Sequence, residues 1–262
     1  MSERPLAGRR IVVTRPREQA AGLAERIRAA GGEAVLIPAI EIRDLAELGP
    51  FDAIAERLEA FDCAIFVSPM AVRKAMARLR VRRGARPWPP ALRVAAIGRG
   101  SQRALQEAGI VPVLVPPARA DSEALLAMPE FARPAGQRIV IFRGRGGREL
   151  LGETLAERGA RVEYAECYAR AMPASATDPL GGDDSAARAI DAVTVSSGEG
   201  LANLHALLDD RGREQLRGTP LFVPHARVAD QATALGARKV TIAGPGDAEM
   251  LDALVAYFRG VE

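Results

Sequence analysis

GQRIVIFRGRGGRELLGETLAERGARVEYAECYAR, residues Gly136–Arg170, decides the fold because the chain carries it twice. Set back by 128 positions, Gly8–Ile42 reads GRRIVVTRPREQAAGLAERIRAAGGEAVLIPAIEI. Arg10 falls on Arg138, Ile11 on Ile139, Arg15 on Arg143, Leu23 on Leu151 and Gly31 on Gly159. Each copy has the pattern of a buried strand, an arginine-bearing loop, an amphipathic helix ending in glycine, and a second strand. A repeat of this length exceeds a solenoid rung and predicts two similar domains, with function where they face each other.

Reading outward, strands are expected at Arg10–Thr14, Glu33–Ile37, Phe61–Ser68, Leu92–Ile97, Val111–Val115, Ala189–Ser196, Pro220–Val223 and Lys239–Ala243, with Pro38–Ile42 extended. Helices are expected at Arg17–Ala30, Leu45–Ala60, Pro69–Leu79, Gln102–Ala108, Ser122–Met128, Gly198–Asp209, Val228–Leu235 and Asp247–Phe258. Ala20, Leu23, Ala24, Ile27 and Ala30 recur at the three- and four-residue spacing of a helix face. FDCAIFVS is nearly continuous in its apolar residues, as in a parallel strand covered on both sides. Pro173–Ser185 reads as a polar connector. Alternating strands and helices with short loops predict an α/β architecture of parallel sheets.

Composition narrows the function. All but two of the 36 basic residues are arginine, the exceptions being Lys74 and Lys239. Codon bias accounts for such a preference; so does a carboxylate- or phosphate-rich ligand, because the planar guanidinium binds such groups bidentately. The arginines alternate with Asp and Glu, so nothing reads as a nucleic-acid arm. Cys63 and Cys167 lie in apolar runs, and with only two histidines, His205 and His225, no metal-ligand spacing exists. They read as reduced core cysteines of a cytoplasmic protein. No apolar signal region precedes the first strand, and no run is long enough to span a membrane.

Ligands of parallel α/β sheets bind outside the carboxyl ends of the strands. Here those ends carry Thr14-Arg15-Pro16, Ser68-Pro69-Met70, Gly98–Ser101, Arg143–Arg148, Ser196–Gly198 and Pro224–Arg227. Hydroxyls, guanidinium forks and glycine backbones suit anions. Gly144-x-Gly146 lacks the third glycine of a dinucleotide loop, since Glu149 stands there, and no Walker lysine occurs. Arg148 is expected on the first turn of the following helix. Ser68, Ser196 and Ser197 fit helix capping as well as ligand contact, and Asp121 or Ser122 fits the cap of its helix. No serine has a His/Asp partner set. His225 fits either ligand contact or acid–base chemistry. Tyr164 and Tyr168 fit core packing, and a hydroxyl at Tyr168 also fits proton donation. No carboxylate pair supports glycosidase chemistry.

IVVTRPREQA, AIFVSPMAV, AAIGRGSQRAL, PPARADSEALL, RGGRELLGETLAERGARV, ECYAR, DAVTVSSGEGL and PHARVADQA stand in that order along the chain. In these stretches, over essentially its full length, the chain resembles the uroporphyrinogen-III synthase family. The resemblance implies two flavodoxin- or Rossmann-like parallel-sheet domains joined by a two-stranded hinge. One domain combines 1–37 with 172–262, the other is 40–168, and the crossings are 38–42 and 167–172; the repeat alone suggests a simple cut near Pro134. It implies cyclisation of hydroxymethylbilane, a linear tetrapyrrole rich in carboxylates, with loss of water, inversion of ring D and no cofactor. The family's tyrosine maps onto Tyr168, which would assist departure of the hydroxyl. Its cleft residues map onto Ser68, Ser101, Arg148 and Ser197. With the strand-end reading, the candidate substrate contacts become Arg15, Ser68, Gly98, Ser101, Ser122, Gly147, Arg148, Ser196, Ser197, Gly198, His225 and Arg227. Met70 and PHARVADQA depart from the family pattern, where a basic residue and a threonine are found in other members. The expected protein is a stand-alone cytoplasmic monomer without metal, nucleic acid or membrane. The alternatives are a non-catalytic two-domain binder of a polyanionic small molecule, and a nucleotide-sugar transferase, which lacks its acidic site here.

Overall fold

The computed structural model describes residues 4–117, 119–174 and 189–260; most of the expected connector Pro173–Ser185 lies outside them. The chain opens with β1 (Arg10–Val13), α1 (Arg17–Ala29), β2 (Glu33–Leu36), β3 (Glu41–Arg43) and α2 (Gly49–Glu56). A single 3-10 turn, Leu58–Ala60, leads to β4 (Cys63–Phe66), α3 (Pro69–Arg83), β5 (Arg93–Ala96), α4 (Arg99–Glu107), α5 (Ser122–Leu126) and α6 (Pro129–Ala132). The second copy of the repeat forms β6 (Arg138–Gly144), α7 (Leu150–Glu157) and β7 (Arg161–Ala171). Then come β8 (Ala192–Thr194), α8 (Gly198–Leu207), α9 (Asp210–Gly218), β9 (Leu221–Val223), α10 (Ala226–Ala234), β10 (Val240–Ile242) and α11 (Asp247–Arg259).

The chain forms two compact units. One takes everything up to Ile42 and from Ala171 onward, the other Arg43–Arg170. The first unit holds the sheet β10-β9-β8-β1-β2, parallel at every pairing. Numbered within that unit, the order is 2-1-3-4-5, a doubly wound order whose reversal lies between β1 and β8. The second sheet runs β3-β7-β6-β4-β5, with β7–β6, β6–β4 and β4–β5 parallel and its reversal between β6 and β4. β1 and β6, the two repeat copies, therefore take the same place beside β8 and β4.

The repeat is visible down to single hydrogen bonds. Gly31 and Gly159 end α1 and α7 with φ of 91° and 88°, a region that a β-carbon disfavours. The amides just after them, Gly32 and Ala160, donate to Ile27 and Leu155, both at 3.0 Å. At the same amino edge of the sheets, the amide of Arg10 donates to Asp191 at 2.8 Å, and that of Arg138 donates to Asp62 at 2.7 Å. Each aspartate satisfies the first strand amide of the neighbouring repeat copy.

Alternation along β1 splits its side chains between two cores. Ile11 and Val13 pack with Leu23, Ile27, Met250 and Leu254 under α1 and α11, while Val12 packs with Val193, Leu201, Leu204 and Val228 under α8 and α10. In the second unit Ile65, Ile139 and Ile141 pack with Leu125, Leu151 and Leu155. On its other face Phe66 stacks on Phe142 with centroids 4.6 Å apart. Each such fully buried side chain contributes about 1.5–3 kcal/mol.

Several sequence expectations are corrected. Val111–Val115 makes only one bridge, Leu114 to Ala95, because Pro112 and Pro116 have no amide to donate. The helix read from Leu45 begins at Gly49, with proline in its first turn, and stops at Glu56. The helix α9, capped by Asp209 and burying only Gly212 and Leu216, has too few apolar residues to show periodicity. Cys63 and Cys167 are free and buried, as the sequence indicates.

Asp191→Ala leaves the Arg10 amide without its acceptor and the Arg9 guanidinium without its partner. The expected cost is about 1–3 kcal/mol, read as a lower urea midpoint at unchanged slope. An unchanged midpoint would show that water serves that amide equally well.

Candidate active site

In the second unit the carboxyl ends of β4, β5, β6 and β7 enclose a cavity of about 230 Å³. Val67, Ile97, Ile141 and Leu151 give it an apolar base, and Ser122, Gly144, Gly147, Tyr164 and Tyr168 face it as well. Four arginines complete the wall, Arg143, Arg145, Arg148 and Arg170, and no carboxylate is among the lining residues. An apolar floor under convergent cations is a place for an acidic organic ligand.

Two glycines make room for two tyrosines. A β-carbon on Gly144 would lie 2.8 Å from the Tyr168 ring, and one on Gly152 would collide with the Tyr164 hydroxyl. Tyr168 is thereby fully buried, with its hydroxyl 3.3 Å from the Ser68 Oγ. Ser68 is the N-cap of α3 and accepts from the Ala71 amide at 3.0 Å. Capping and contact with the tyrosine thus occur in one side chain.

Arg143 is 5% exposed although charged. Its Cζ sits 4.2 Å above the Tyr164 ring, a cation–π contact. Its Nη2 donates to Glu149 at 2.8 Å, while Nε and Nη1 are buried without a hydrogen-bond partner. The Arg143 guanidinium, and then the Tyr164 hydroxyl, hold the Glu149 carboxyl below its usual range. Burial first, and then Glu149, push the Tyr164 phenol up to about 12. Arg145 pairs with Glu166 at 3.2 Å, and Arg148 with Glu123 at 2.8 Å. Exposed pairs of this kind are weak and exchange readily for a ligand.

Of the residues named from sequence, Ser122, Gly147, Arg148 and Tyr168 line this one cavity, and Ser68 reaches it through Tyr168. Gly98 caps α4 beside Ile97, where a β-carbon would lie 2.9 Å from that of Ala120, and Ser101 is buried on the first turn of α4. One local reading is corrected and one open alternative is decided. Arg148 precedes α7, which starts at Leu150 after a glycine turn with Gly146 at φ 65°. Asp121, which accepts from the Ala124 amide at 2.8 Å, is the cap of α5, and Ser122 is the first helical residue.

The remaining candidates lie at the carboxyl edge of the first unit's sheet. Ser196 follows β8, Ser197 caps α8 through the Gly200 amide at 3.1 Å, and Gly198 leaves no room for a β-carbon beside Gln231. His225 stands at the N-cap of α10 without a side-chain cap bond, and both it and Arg227 are exposed. Arg15 is engaged within the unit by Asp247 and, at 3.3 Å, by the Pro245 carbonyl. Arg143, Tyr164 and Glu149 were read from sequence as a strand-end residue, a core tyrosine and the residue in place of a third glycine, and none of them was among the candidate substrate contacts. The signal for Arg143 was its alignment with Arg15 in the repeat.

The family model for uroporphyrinogen-III synthase HemD matches residues 21–252. The chain belongs to the uroporphyrinogen-III synthase family. It is 38% identical to the uroporphyrinogen-III synthase of Salmonella typhimurium over 92% of this chain and 97% of that one. Against the Escherichia coli K12 uroporphyrinogen-III synthase the identity is 36% over the same shares. Among solved structures, a mutant uroporphyrinogen III synthase of the extremely thermophilic bacterium Thermus thermophilus superposes with a TM-score of 0.63 at 18% identity, covering 97% of this chain and 100% of that one. The Helicobacter pylori 26695 uroporphyrinogen-III synthetase gives 0.61 at 14% identity, covering 95% and 99%. These two likenesses bear on the fold. Family membership makes this chain a cyclising lyase of porphyrin biosynthesis.

The alkaline limb of stability follows from three groups of the second unit. Burial pushes Cys63 up to about 11 and Cys167 to about 12, and Tyr164 stands at about 12. All three are raised, so their contribution is fully present below the ordinary values of 9 for a thiol and 10 for a phenol. It is lost as pH rises through the folded-state values. Thermal unfolding should give a midpoint that falls steadily from about pH 9 towards pH 12; a midpoint unchanged over that span would contradict the assignment.

Proposed function

We propose that the chain converts hydroxymethylbilane to uroporphyrinogen III, and that the strand-end cavity of the second unit takes an acidic pyrrole end of that substrate. The observation that carries the siting is the cavity wall of four arginines without a carboxylate, with Tyr168 among its lining residues. Hydroxyls and amides at Ser68, Gly98, Ser101, Ser122, Gly147 and Arg148 would serve other acidic groups. Those at Arg15, Ser196, Ser197, Gly198, His225 and Arg227 would do the same from the first unit.

The reaction asks for one departure and one geometry. The phenol of Tyr168 delivers a proton to the terminal hydroxyl, its carbon–oxygen bond breaks, and water leaves an azafulvene cation. Ser68 supports this exchange. Its Oγ accepts the Ala71 amide, and either hydroxyl can donate across the 3.3 Å to the other. When the phenol's proton goes to the leaving group, the Ser68 hydroxyl turns to the developing phenolate. Ring D then attacks through its substituted carbon, the spiro intermediate fragments, and ring closure completes the inversion. Holding the flexible bilane in that one arrangement is positional catalysis, and fixed dipoles at the helix starts act on charge as it develops. The crossings 38–42 and 167–172 would serve as a two-stranded hinge. We also assign the enzyme to the cytoplasm, as a monomer without cofactor.

With hydroxymethylbilane as substrate and the products oxidised and separated, the wild type should give mainly the type III isomer. Tyr168→Phe should slow turnover about 100-fold while the far-ultraviolet circular dichroism stays unchanged. Unaltered turnover removes Tyr168 from the chemistry. Type I product alone, as in buffer, overturns the synthase reading in favour of a non-catalytic polyanion binder.

A further inference from the structure

We infer that Arg143 is a ligand-carboxylate receptor held in reserve by Glu149, so that an acidic group of the ligand and the Glu149 side chain compete for one buried guanidinium. This rests on the proposed use of the cavity for a carboxylate-rich substrate. Arg143 lines the cavity and is 5% exposed, yet two of its three nitrogens, Nε and Nη1, have no hydrogen-bond partner. Unmet buried donors on a charged group are costly, by about 1–3 kcal/mol or more. A purely structural arginine would have its donors satisfied. Here Tyr164 supports the guanidinium from its ring face and leaves the nitrogens in the plane for acceptors.

Gly147 lies beside one of the spare donors. A β-carbon on Gly147 would lie 3.5 Å from the Arg143 Nε, so glycine at this position keeps the approach to that nitrogen unobstructed. The counter-ion is also suited to exchange. Glu149 is half exposed, stands at the N-cap of α7 without making a side-chain cap bond, and is absent from the cavity wall. Its departure from Arg143 and the Tyr164 hydroxyl is offset by the entering carboxylate, which meets Arg143 together with Arg145, Arg148 and Arg170. The aligned arginine of the first copy, Arg15, is engaged by Asp247 and the Pro245 carbonyl and has no buried nitrogen left without a partner. The two repeat copies have thus diverged at this position.

Competition predicts opposite signs for the two partners. Uroporphyrin III serves as the probe, titrated by fluorescence against the full-length protein, with isomer-resolved turnover of hydroxymethylbilane in parallel. Arg143→Gln should weaken uroporphyrin III about 10- to 100-fold and raise KM more than it lowers kcat, with Arg143→Lys recovering part of the affinity. Glu149→Gln should tighten the probe about threefold or more. Losses of similar size in both variants would mean a structural ion pair and overturn the inference, as would wild-type affinity in Arg143→Gln. Should Arg143→Gln fail to fold, Glu149→Gln decides alone, and unimproved affinity there overturns it. Wild-type turnover yielding only type I product would remove the synthase reading, whereas the opposed shifts in probe affinity would still test Arg143.

Discussion

Parallel pairing at the two points of strand reversal, β1 with β8 and β6 with β4, is the constraint on which the rest depends. A parallel neighbour must be reached by a crossover, and the crossover helix begins at the carboxyl edge of the sheet. The starts of α3, α4 and α8 therefore gather at those edges, each bringing unpaired amides and a cap residue: Ser68, Gly98 or Ser197. Anion-binding capacity comes from topology before any side chain is chosen. The Asp62 and Asp191 acceptors close the opposite edges, so amides at the amino ends of β6 and β1 are spent on structure.

The second unit converts this capacity into a site by close packing. Gly144 and Gly152 admit Tyr168 and Tyr164 where a single methyl would push either ring aside. Tyr168 is tied to the Ser68 cap, and Tyr164 carries Arg143 on its face. Glu123, Glu149 and Glu166 neutralise three of the wall arginines without lining the cavity. The result is a positive interior whose counter-ions belong to the protein and can be replaced by those of a substrate.

Much of this was legible in the sequence because the repeat is long and its punctuation is strict. Gly31 and Gly159, the β-branched strands and the helix periodicity all pointed to one architecture. Ser68 and Ser197 as caps followed from their places after apolar runs. What failed was local. Val111–Val115 has strand composition, but its prolines remove the ladder donors. Helix α9 is held by the Asp209 cap and one buried leucine, which leaves no periodic trace. Arg143 was hidden among so many arginines that residue type carried no information. Only its burial and its two unpartnered nitrogens set it apart. Likewise nothing in GRELLGET shows that Gly152 exists to admit a tyrosine from the following strand.

On the proposed function, acidic ligand binds at the carboxyl edge of the second sheet, in the cavity bounded by Tyr168 and the arginines. Amide hydrogen exchange of the full chain, with and without uroporphyrin III, tests it most directly. Slowed exchange should concentrate in peptides covering 67–72, 97–102 and 143–151, where the helix-start amides meet the ligand. Protection absent from all three, or confined to the opposite edge near Asp62 and Gly136, would contradict it.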